Sequence, residues 1–383
     1  MNSASTARIQ EAGGSPRSRP VSIQDVARLA GVSNQTISRV LNGHPYVRGS
    51  TRTRVLAAMG ELRYRPNRAA RMLCTRRSKT IGVLAAAGRS QGGQASTIRA
   101  VEEAARERGY YPAVVHLASA APSAIAVAAD DLLGQEVEGV VIVAPQATVL
   151  AKIAPLLANI PIVTALGELR NAAGRPAGPV DVGGGAWLAM RYLLGHGHRR
   201  IVHIAGPPDW HDAQSRLAAY ESELRLSGLP VPPPVAGDWS ADSGYAAGAS
   251  LVRDRAQASG LYHGVTAVFA ANDQMALGLI HAYREAGLAV PADVSVVGFG
   301  DIPEAAHFWP PLTTVRQDPR ELGRSHVDLL IAAIREGAGP DAAAVAPPAA
   351  PGTAGPQLII RKSVISNSVI RNSVISNSVA MTR

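Results

Sequence analysis

Asn34, Gln35, Ser38 and Arg39 alternate with Ile37, Val40 and Leu41 at helical spacing. On a helix this places the three apolar side chains on one face and the amides, the hydroxyl and the guanidinium on the other. A glutamine can pair bidentately with adenine and an arginine with guanine, so a short helix presenting them can read base edges in the major groove. Gln35 and Arg39 are the best base readers, and Asn34 beside them shares the task. Thr36, Ser38 and Asn42 suit phosphate contacts, as do the basic residues around Arg52 and Arg68. Such contacts position a protein on the duplex without specifying sequence.

The flanking residues supply the elements such a helix needs. Ser22 with Asp25 three residues on reads as a capping box opening a helix whose apolar face is Ile23, Val26, Ala27 and Ala30. Gly31 ends that helix, because it takes the left-handed conformation without steric cost. Ser33 then caps the second helix. Thr51 to Leu62 reads as a third, with Val55, Met59 and Leu62 on one face. A three-helix module of this size is marginal alone. Pro66 and Asn67 follow, with Asn67 placed to cap a helix through Arg68 to Cys74 that is too short to stand alone in water. Charge agrees with a phosphate-binding role: residues 1–80 hold 15 Lys/Arg and 3 Asp/Glu, a net of +12 within a whole-chain charge of +9, so the remainder carries −3.

The stretch from Val21 to Gly43 resembles the pattern that opens LacI/GalR-type transcriptional regulators, and Arg65-Pro-Asn-Arg-Ala-Ala-Arg-Met-Leu73 resembles the segment that follows it in them. The likeness continues through Gly237-Asp-Trp-Ser-Ala241, Ala271-Asn-Asp-Gln-Met-Ala-Leu-Gly278 and Pro310-Pro-Leu-Thr-Thr-Val-Arg-Gln-Asp318, so it covers about residues 21 to 362. The resemblance implies a sequence-specific regulator of double-stranded operator DNA, a repressor controlled by a small sugar. It places Asn67, Arg68 and Leu73 in a hinge at residues 67–79. There the matching leucine wedges into the minor groove and bends the duplex. Packing of Leu73 against the neighbouring subdomain is the other reading of that residue.

From Thr80 short apolar runs alternate with helical segments. Strands are expected at Ile81–Ala86, Val114–Leu117, Gly139–Val143, Pro161–Leu166, Ile201–Ala205, Ala267–Ala271 and Val294–Phe299. Helices such as Ile98–Arg108, Trp187–Gly195, Ser215–Leu226, Gly244–Arg253 and Met275–Glu285 lie between them. Alternation of this kind predicts parallel sheets covered on both faces. The fold class is therefore an N-terminal all-α helix-turn-helix domain (21–66) plus an α/β core (80–362). The resemblance implies that this core has two periplasmic-binding-protein-like subdomains, with the chain crossing between them three times.

Ligands of such sheets bind outside the carboxyl ends of the strands. Asn272, Asp273 and Asp301 lie at strand ends, Asp212 and Arg216 open the helix after Gly206-Pro207, and Gln317 sits in the last crossover. Sugars need planar polar groups that take two neighbouring hydroxyls and an aromatic face for their C–H surface. Arg216, Asn272, Asp301 and Gln317 supply the first and Trp239 the second. The resemblance puts these positions in the sugar pocket, and Trp239 in its Gly-Asp-Trp-Ser-Ala setting points to galactosides. Gly300 stands where the family usually has the first of two acidic residues, so either Asp301 holds the sugar hydroxyls alone or the ligand differs. The loop near Gly92-Gly93-Gln94-Ala95 lacks the apolar and proline residues often found at the first pocket loop.

Other classes are disfavoured. No nucleophile elbow, phosphate loop or spaced metal ligands occur, so neither an enzyme nor a cofactor is expected. His196 and His198 read as a helix end with basic residues facing its carbonyls. Cys74 is the only cysteine, so no intrachain disulfide can form. No run is long and apolar enough for a membrane. Residues 1–20 lack the apolar stretch of a secretory signal and read as a disordered arm, so a cytoplasmic protein is expected. Residues 337 to 356 read as a loose loop before a last strand at Gln357–Arg361. Residues 363–383 repeat Ser-Val-Ile-Ser/Arg-Asn with a period of five, which matches neither helix nor strand, and they read as a disordered tail without function. The tail lacks leucine heptads, which favours a homodimer over a tetramer.

Overall fold

The computed structural model describes residues 21–41, 46–64, 72, 77–85, 92–143, 146–164, 169–170, 176–177, 184–255, 257, 259–336 and 355–370. The chain divides into two compact units, 1–78 and 79–383.

In the first unit, α1 spans Ile23–Ala30, α2 Asn34–Leu41 and α3 Gly49–Glu61. Ser22 donates both its backbone N–H (2.9 Å) and its hydroxyl (2.7 Å) to Asp25 Oδ2, which fixes the start of α1. Gly31 ends it at φ +61°, and the Val32 N–H turns back to the Ala27 carbonyl at 3.0 Å. The Thr36 N–H donates to Ser33 Oγ at 3.2 Å, so α2 begins where its capping residue predicts. Val26, Ala27, Ala30, Ile37, Val40, Val55 and Ala58 close the core. Met59 and Leu62 pack only at its margin, while Ala58 takes the buried place on α3.

The second unit holds two lobes. In the first lobe, β1 (Thr80–Ala85), β2 (Tyr111–His116), β3 (Gly139–Val143) and β4 (Ile162–Thr164) run parallel in the order β2-β1-β3-β4, with β5 (Leu169–Arg170) and β6 (Pro176–Ala177) added antiparallel at the edge. β1 and β3 are buried along their whole length, as strands of a parallel sheet covered on both faces must be. Three helices connect these strands or flank them: α4 (Gly92–Glu107), α5 (Pro122–Gly134) and α6 (Ala147–Leu156).

The second lobe opens with α7 (Gly184–Gly195) and continues as β7 (Ile201–Ala205), α8 (His211–Leu226), β8 (Val235–Ala236), α9 (Ala241–Arg255), β9 (Ala267–Ala270), α10 (Asp273–Glu285) and β10 (Ser295–Val297). Its sheet is parallel in the order β10-β9-β7-β8. α9 and α10 touch backbone to backbone. A Cβ on Gly278 would lie 1.9 Å from the Ala241 carbonyl oxygen, and one on Gly244 2.1 Å from that of Met275.

After β11 (Thr314–Arg316) the chain returns to the first lobe. There α11 (Pro319–Glu336) lies on α4, with Gly323 against the Ala100 backbone and Asp328 gripping Arg108 through two bonds of 2.5 and 2.7 Å. The chain comes back once more in β12 (Gln357–Ile359), which pairs antiparallel with β11. The three crossings implied by the resemblance are thus those after β6, after β11 and before β12. Among the described residues no helix is long and apolar enough to cross a membrane.

The core does not stop at 362, and the expectation of a disordered tail beginning at 363 is corrected for residues 363–370. Ser363, Asn367 and Ile370 are buried. The Val296 N–H donates to the Ser363 carbonyl (2.8 Å), Ser363 Oγ receives the Thr313 N–H (2.8 Å) and donates to the Val296 carbonyl (2.6 Å). Ile365 exchanges bonds with the Ser295 hydroxyl, and Asn367 binds the His196 and Gly197 carbonyls at 2.9 and 3.1 Å. The segment satisfies backbone groups at the amino ends of β7 and β10, a task that needs side-chain polarity and no apolar period. Residues 371–383, like the 1–20 arm, lie outside the described residues.

Candidate nucleic-acid interface and effector cleft

On α2, Ile37 and Val40 are buried, whereas Asn34, Gln35, Ser38 and Arg39 are exposed. Their polar groups are thus available together on one face, as the sequence spacing predicted. Thr36 is half-buried, and its hydroxyl lies 2.9 Å from Ser33 Oγ within the cap. Asn42, Asn67, Arg68, Leu73 and Cys74 lie outside the described residues.

In the second lobe the strand order reverses between β7 and β9, since β8 lies to one side of β7 and β10 to the far side of β9. A crevice opens outside the carboxyl ends of strands at such a switch point. Gly206 follows β7 there and Asn272 follows β9. Arg216 reaches this place from α8. Its NH1 donates to the Ala271 carbonyl at 2.9 Å and its NH2 lies 3.4 Å from Asp212 Oδ2. The guanidinium lies over Phe299 at 4.0 Å from the ring centroid and near Trp239 at 5.3 Å. Burial pulls the Arg216 pKa down, while the charges of Asp212 and Asp273 hold it up.

Trp239 is held in a strained backbone state, φ +75°, and is almost wholly buried. Its ring fills the space beside Gly206, where a Cβ would come within 2.4 Å of it. Asn272 fixes it from the other side: its Nδ2 donates to the Trp239 carbonyl (2.8 Å), while its Oδ1 accepts the Met275 N–H (2.9 Å) and caps α10. The Trp239 Nε1 donor is buried with no partner among the described residues, and so is the Gln146 Oε1 acceptor. Trp210 stands beside both, forming a backbone bridge with Gln146 and an edge-on ring contact with Trp239 at 5.9 Å. Buried polar groups are rarely left unpaired, so an orphan donor and an orphan acceptor around one aromatic residue are what a hydroxyl-bearing ligand would satisfy.

The two lobes are clasped nearby. Asp209, ahead of α8, takes the Thr148 hydroxyl on its carboxylate at 2.7 Å and the Ala147 N–H on its carbonyl at 2.9 Å, both from the start of α6.

The structure therefore brings Asp212, Arg216, Trp239 and Asn272 together. It does not leave Asp301 free to hold sugar hydroxyls alone, and that expectation is corrected. Asp301 Oδ2 accepts from Arg316 Nε at 2.5 Å and Oδ1 from Arg361 NH2 at 2.6 Å, with the side chain 4% exposed. Gln317 follows β11, is half-buried, and is engaged in a contact of its own. Phe299, Gln146 and Trp210 were not singled out by sequence reasoning. The carboxylate of Asp273 is fully buried, holds Thr314 Oγ1 (2.5 Å) and the Ile302 N–H (2.9 Å), and has its pKa pushed up to about 6 by burial. His196 behaves as the expected helix-end group, its Nδ1 2.9 Å from the Tyr192 carbonyl, but His198 is corrected: it does not face the helix and is buried between Thr266 Oγ1 and the Ile365 carbonyl at 3.0 Å each.

Two family patterns match this chain: bacterial regulatory proteins of the lacI family over residues 22–67, and the periplasmic binding protein-like domain over residues 190–364. Among individual proteins, the lactose operon repressor of Escherichia coli (strain K12) is 35% identical over 318 residues, 82% of this chain and 84% of that protein. The HTH-type transcriptional regulator CelR of Thermobifida fusca is 35% identical over 335 residues, 82% of this chain and 92% of that protein. A lac repressor dimer bound to operator and the anti-inducer ONPF superposes with a TM-score of 0.72 at 30% identity, covering 91% of this chain and all of that one. A CelR–cellobiose complex does so at 0.59 and 29%, covering 90% of this chain and 100% of that one. A helix-turn-helix with its polar face exposed, a two-lobed core with a cleft at its switch point, and this level of identity along most of the chain together show that the protein belongs to the lacI family of bacterial regulatory proteins, DNA-binding transcriptional regulators and not enzymes.

Proposed function

We propose that the protein is a repressor that binds double-stranded operator DNA as a homodimer and is controlled by a small, galactoside-like sugar held between the lobes of its core. The observation that carries this is the group around Trp239: the half-buried Arg216 guanidinium over two aromatic rings, with a donor at Trp239 Nε1 and an acceptor at Gln146 Oε1 that are unpaired among the described residues. A sugar offers what these need, hydroxyls that donate and accept beside an apolar C–H face. Asp212, Asn272 and Gln317 complete the polar lining. Asp301 acts in this reading as a scaffold group, fixing the loop after β10 through Arg316 and Arg361. Galactosides are preferred because of Trp239 in its Gly-Asp-Trp-Ser-Ala setting and the likeness to the lactose operon repressor.

On DNA, Gln35 and Arg39 read base edges with Asn34, Thr36, Ser38, Asn42 and the basic residues around Arg52 and Arg68 hold phosphates, Asn67 caps the hinge helix, and Leu73 wedges the minor groove at the operator centre. Two copies are expected because a second one would cover large apolar groups such as Trp309 and Leu277, 78% and 40% exposed. Sugar shifts operator affinity only if it binds the two lobe arrangements unequally. Closure on sugar moves the two hinges of the dimer apart, so the segments around Leu73 no longer enter the groove as a pair, and the operator is released.

The test is a thermal-shift screen against galactosides, glucosides and pentoses, followed by titration of the operator complex with each sugar that stabilises the protein. Stabilisation by galactosides with weakened operator binding is expected. Stabilisation by another sugar class alone would overturn the galactoside assignment, and operator affinity unmoved or tightened by a bound sugar would overturn the release mechanism.

A further inference from the structure

The C-terminal segment seats three buried side chains, Ser363, Asn367 and Ile370, in a groove at the amino ends of β7 and β10. Val364, Ile365 and Ser366 between them are half-buried, and Ser368 and Val369 are exposed. The sequence that continues is periodic in five: Ser363-Val-Ile-Ser-Asn, Ser368-Val-Ile-Arg-Asn, Ser373-Val-Ile-Ser-Asn. Advancing the chain by one period places Ser368, Asn372 and Ile375 where Ser363, Asn367 and Ile370 sit. The eight-residue segment then differs from the first only in having Arg371 at the place of Ser366.

That one difference falls where the groove is permissive. Ser366 reaches the His196 carbonyl only at 3.5 Å and otherwise pairs with its neighbour Ser368. An arginine there lies beside carbonyls at the end of α7, where a cation is favoured. Advancing by two periods is a poorer match, because Ala380 replaces Ile370 and leaves the apolar seat unfilled. The anchor upstream stays in place in either register: the Lys362 N–H bonds the Pro311 carbonyl at 3.0 Å and Arg361 holds Asp301. A shift by one period only loops five residues out after Lys362, and the cost of closing a loop grows slowly with its length.

We propose that this groove is a docking site with two alternative occupants from the same chain, residues 363–370 and residues 368–375, so that the repeat gives the C-terminus two registers. A second copy of the chain is the weaker candidate as a donor, because its segment must displace one already tethered at high effective concentration.

The test is a thermal-unfolding cycle on the full chain. Ser363→Ala with Asn367→Ala removes side-chain bonds of the first register and touches none of the second. In a chain ending at residue 370 the pair is expected to lower Tm by about 5 °C. In the full chain the loss should be less than half as large, and adding Asn372→Ala should restore it. An equal loss in both lengths would overturn the proposal, as would failure of Asn372→Ala to restore the loss. Protection that rises with protein concentration, or that comes with larger species in sedimentation, would assign the second occupant to another copy and overturn the single-chain register. Should the doubly substituted short chain fail to fold, Ser363→Ala alone is compared in the two lengths under the same criteria.

Discussion

The α2 helix and the cleft beside Trp239 place their chemistry in opposite ways. On α2 the polar groups are exposed, close in sequence and ordered by the helical repeat, with only Ile37 and Val40 buried beneath them. In the cleft the key groups are buried or half-buried and come from Gln146, Arg216, Trp239, Asn272 and Phe299, more than 150 residues apart at the extremes, with Arg216 clasped to the Ala271 carbonyl. A surface reader can therefore be altered one side chain at a time, whereas each cleft residue is also part of what holds the cleft together.

The sharpest test of this difference is Arg216→Ala. It removes a half-buried guanidinium and leaves Asp212, the Ala271 carbonyl and two ring faces without their partner. Sugar affinity should fall more than about a hundredfold, measured calorimetrically, with operator affinity within a few-fold of the parent. Retained sugar binding would move the site elsewhere.

Arg361→Met tests whether Asp301 is scaffold or ligand. It strips one partner from a nearly buried carboxylate. We expect a loss of about 3 kcal/mol in unfolding free energy. The sugar affinity of the remaining folded protein should change much less. The reverse pattern would return Asp301 to the ligand set.

His203 gives a comparable effect through pH. It is stacked against Tyr220 and Phe269, and burial pulls its pKa down to about 4. Below pH 6.5 the unfolded chain takes up a proton here that the folded one refuses. The stability linked to His203 is therefore complete above that pH and is lost as pH falls toward 4. The folded-state shift corresponds to about 3 kcal/mol over that window. His203→Phe should therefore gain on the parent by about that amount between pH 7 and pH 4 in chemical denaturation. A constant difference would mean that His203 takes up its proton as readily in the fold as in the unfolded chain.

Arg39→Ala is the mildest. A single exposed reader should cost about 1–3 kcal/mol on the cognate operator and relax preference at one base position, with no loss of fold. Uniform weakening across operator variants would make Arg39 a phosphate contact.

The same contrast governs what could be read from the sequence. The helix-turn-helix was legible because caps, the Gly31 turn and the burial face of α2 are all local signals. The strands at Gly139–Val143 and Ile201–Ala205 were legible as short apolar runs between turns. Arg216, Trp239 and Asn272 could be grouped from strand ends and family likeness. The engagement of Asp301 could not, because its more buried partner, Arg361, lies 60 residues away just past the end of another strand. Residues 363–370 were misread because their role is to satisfy backbone groups with Ser and Asn side chains, which leaves no apolar period to detect.

The contact between α9 and α10 bears on which histories are open to this protein. At Gly244 and Gly278 the neighbouring backbone occupies the place of a first side-chain carbon. No rotamer change can relieve a substitution there, and even alanine forces the helices apart. Such a pair can be replaced only together with its surroundings, so single-step genetic drift meets a closed door at both codons. Leu277, next to Gly278 in sequence but 40% exposed, meets no such main-chain obstacle. Adjacent positions on one helix thus evolve under opposite regimes, one face frozen by main-chain contact and the other able to explore new partners.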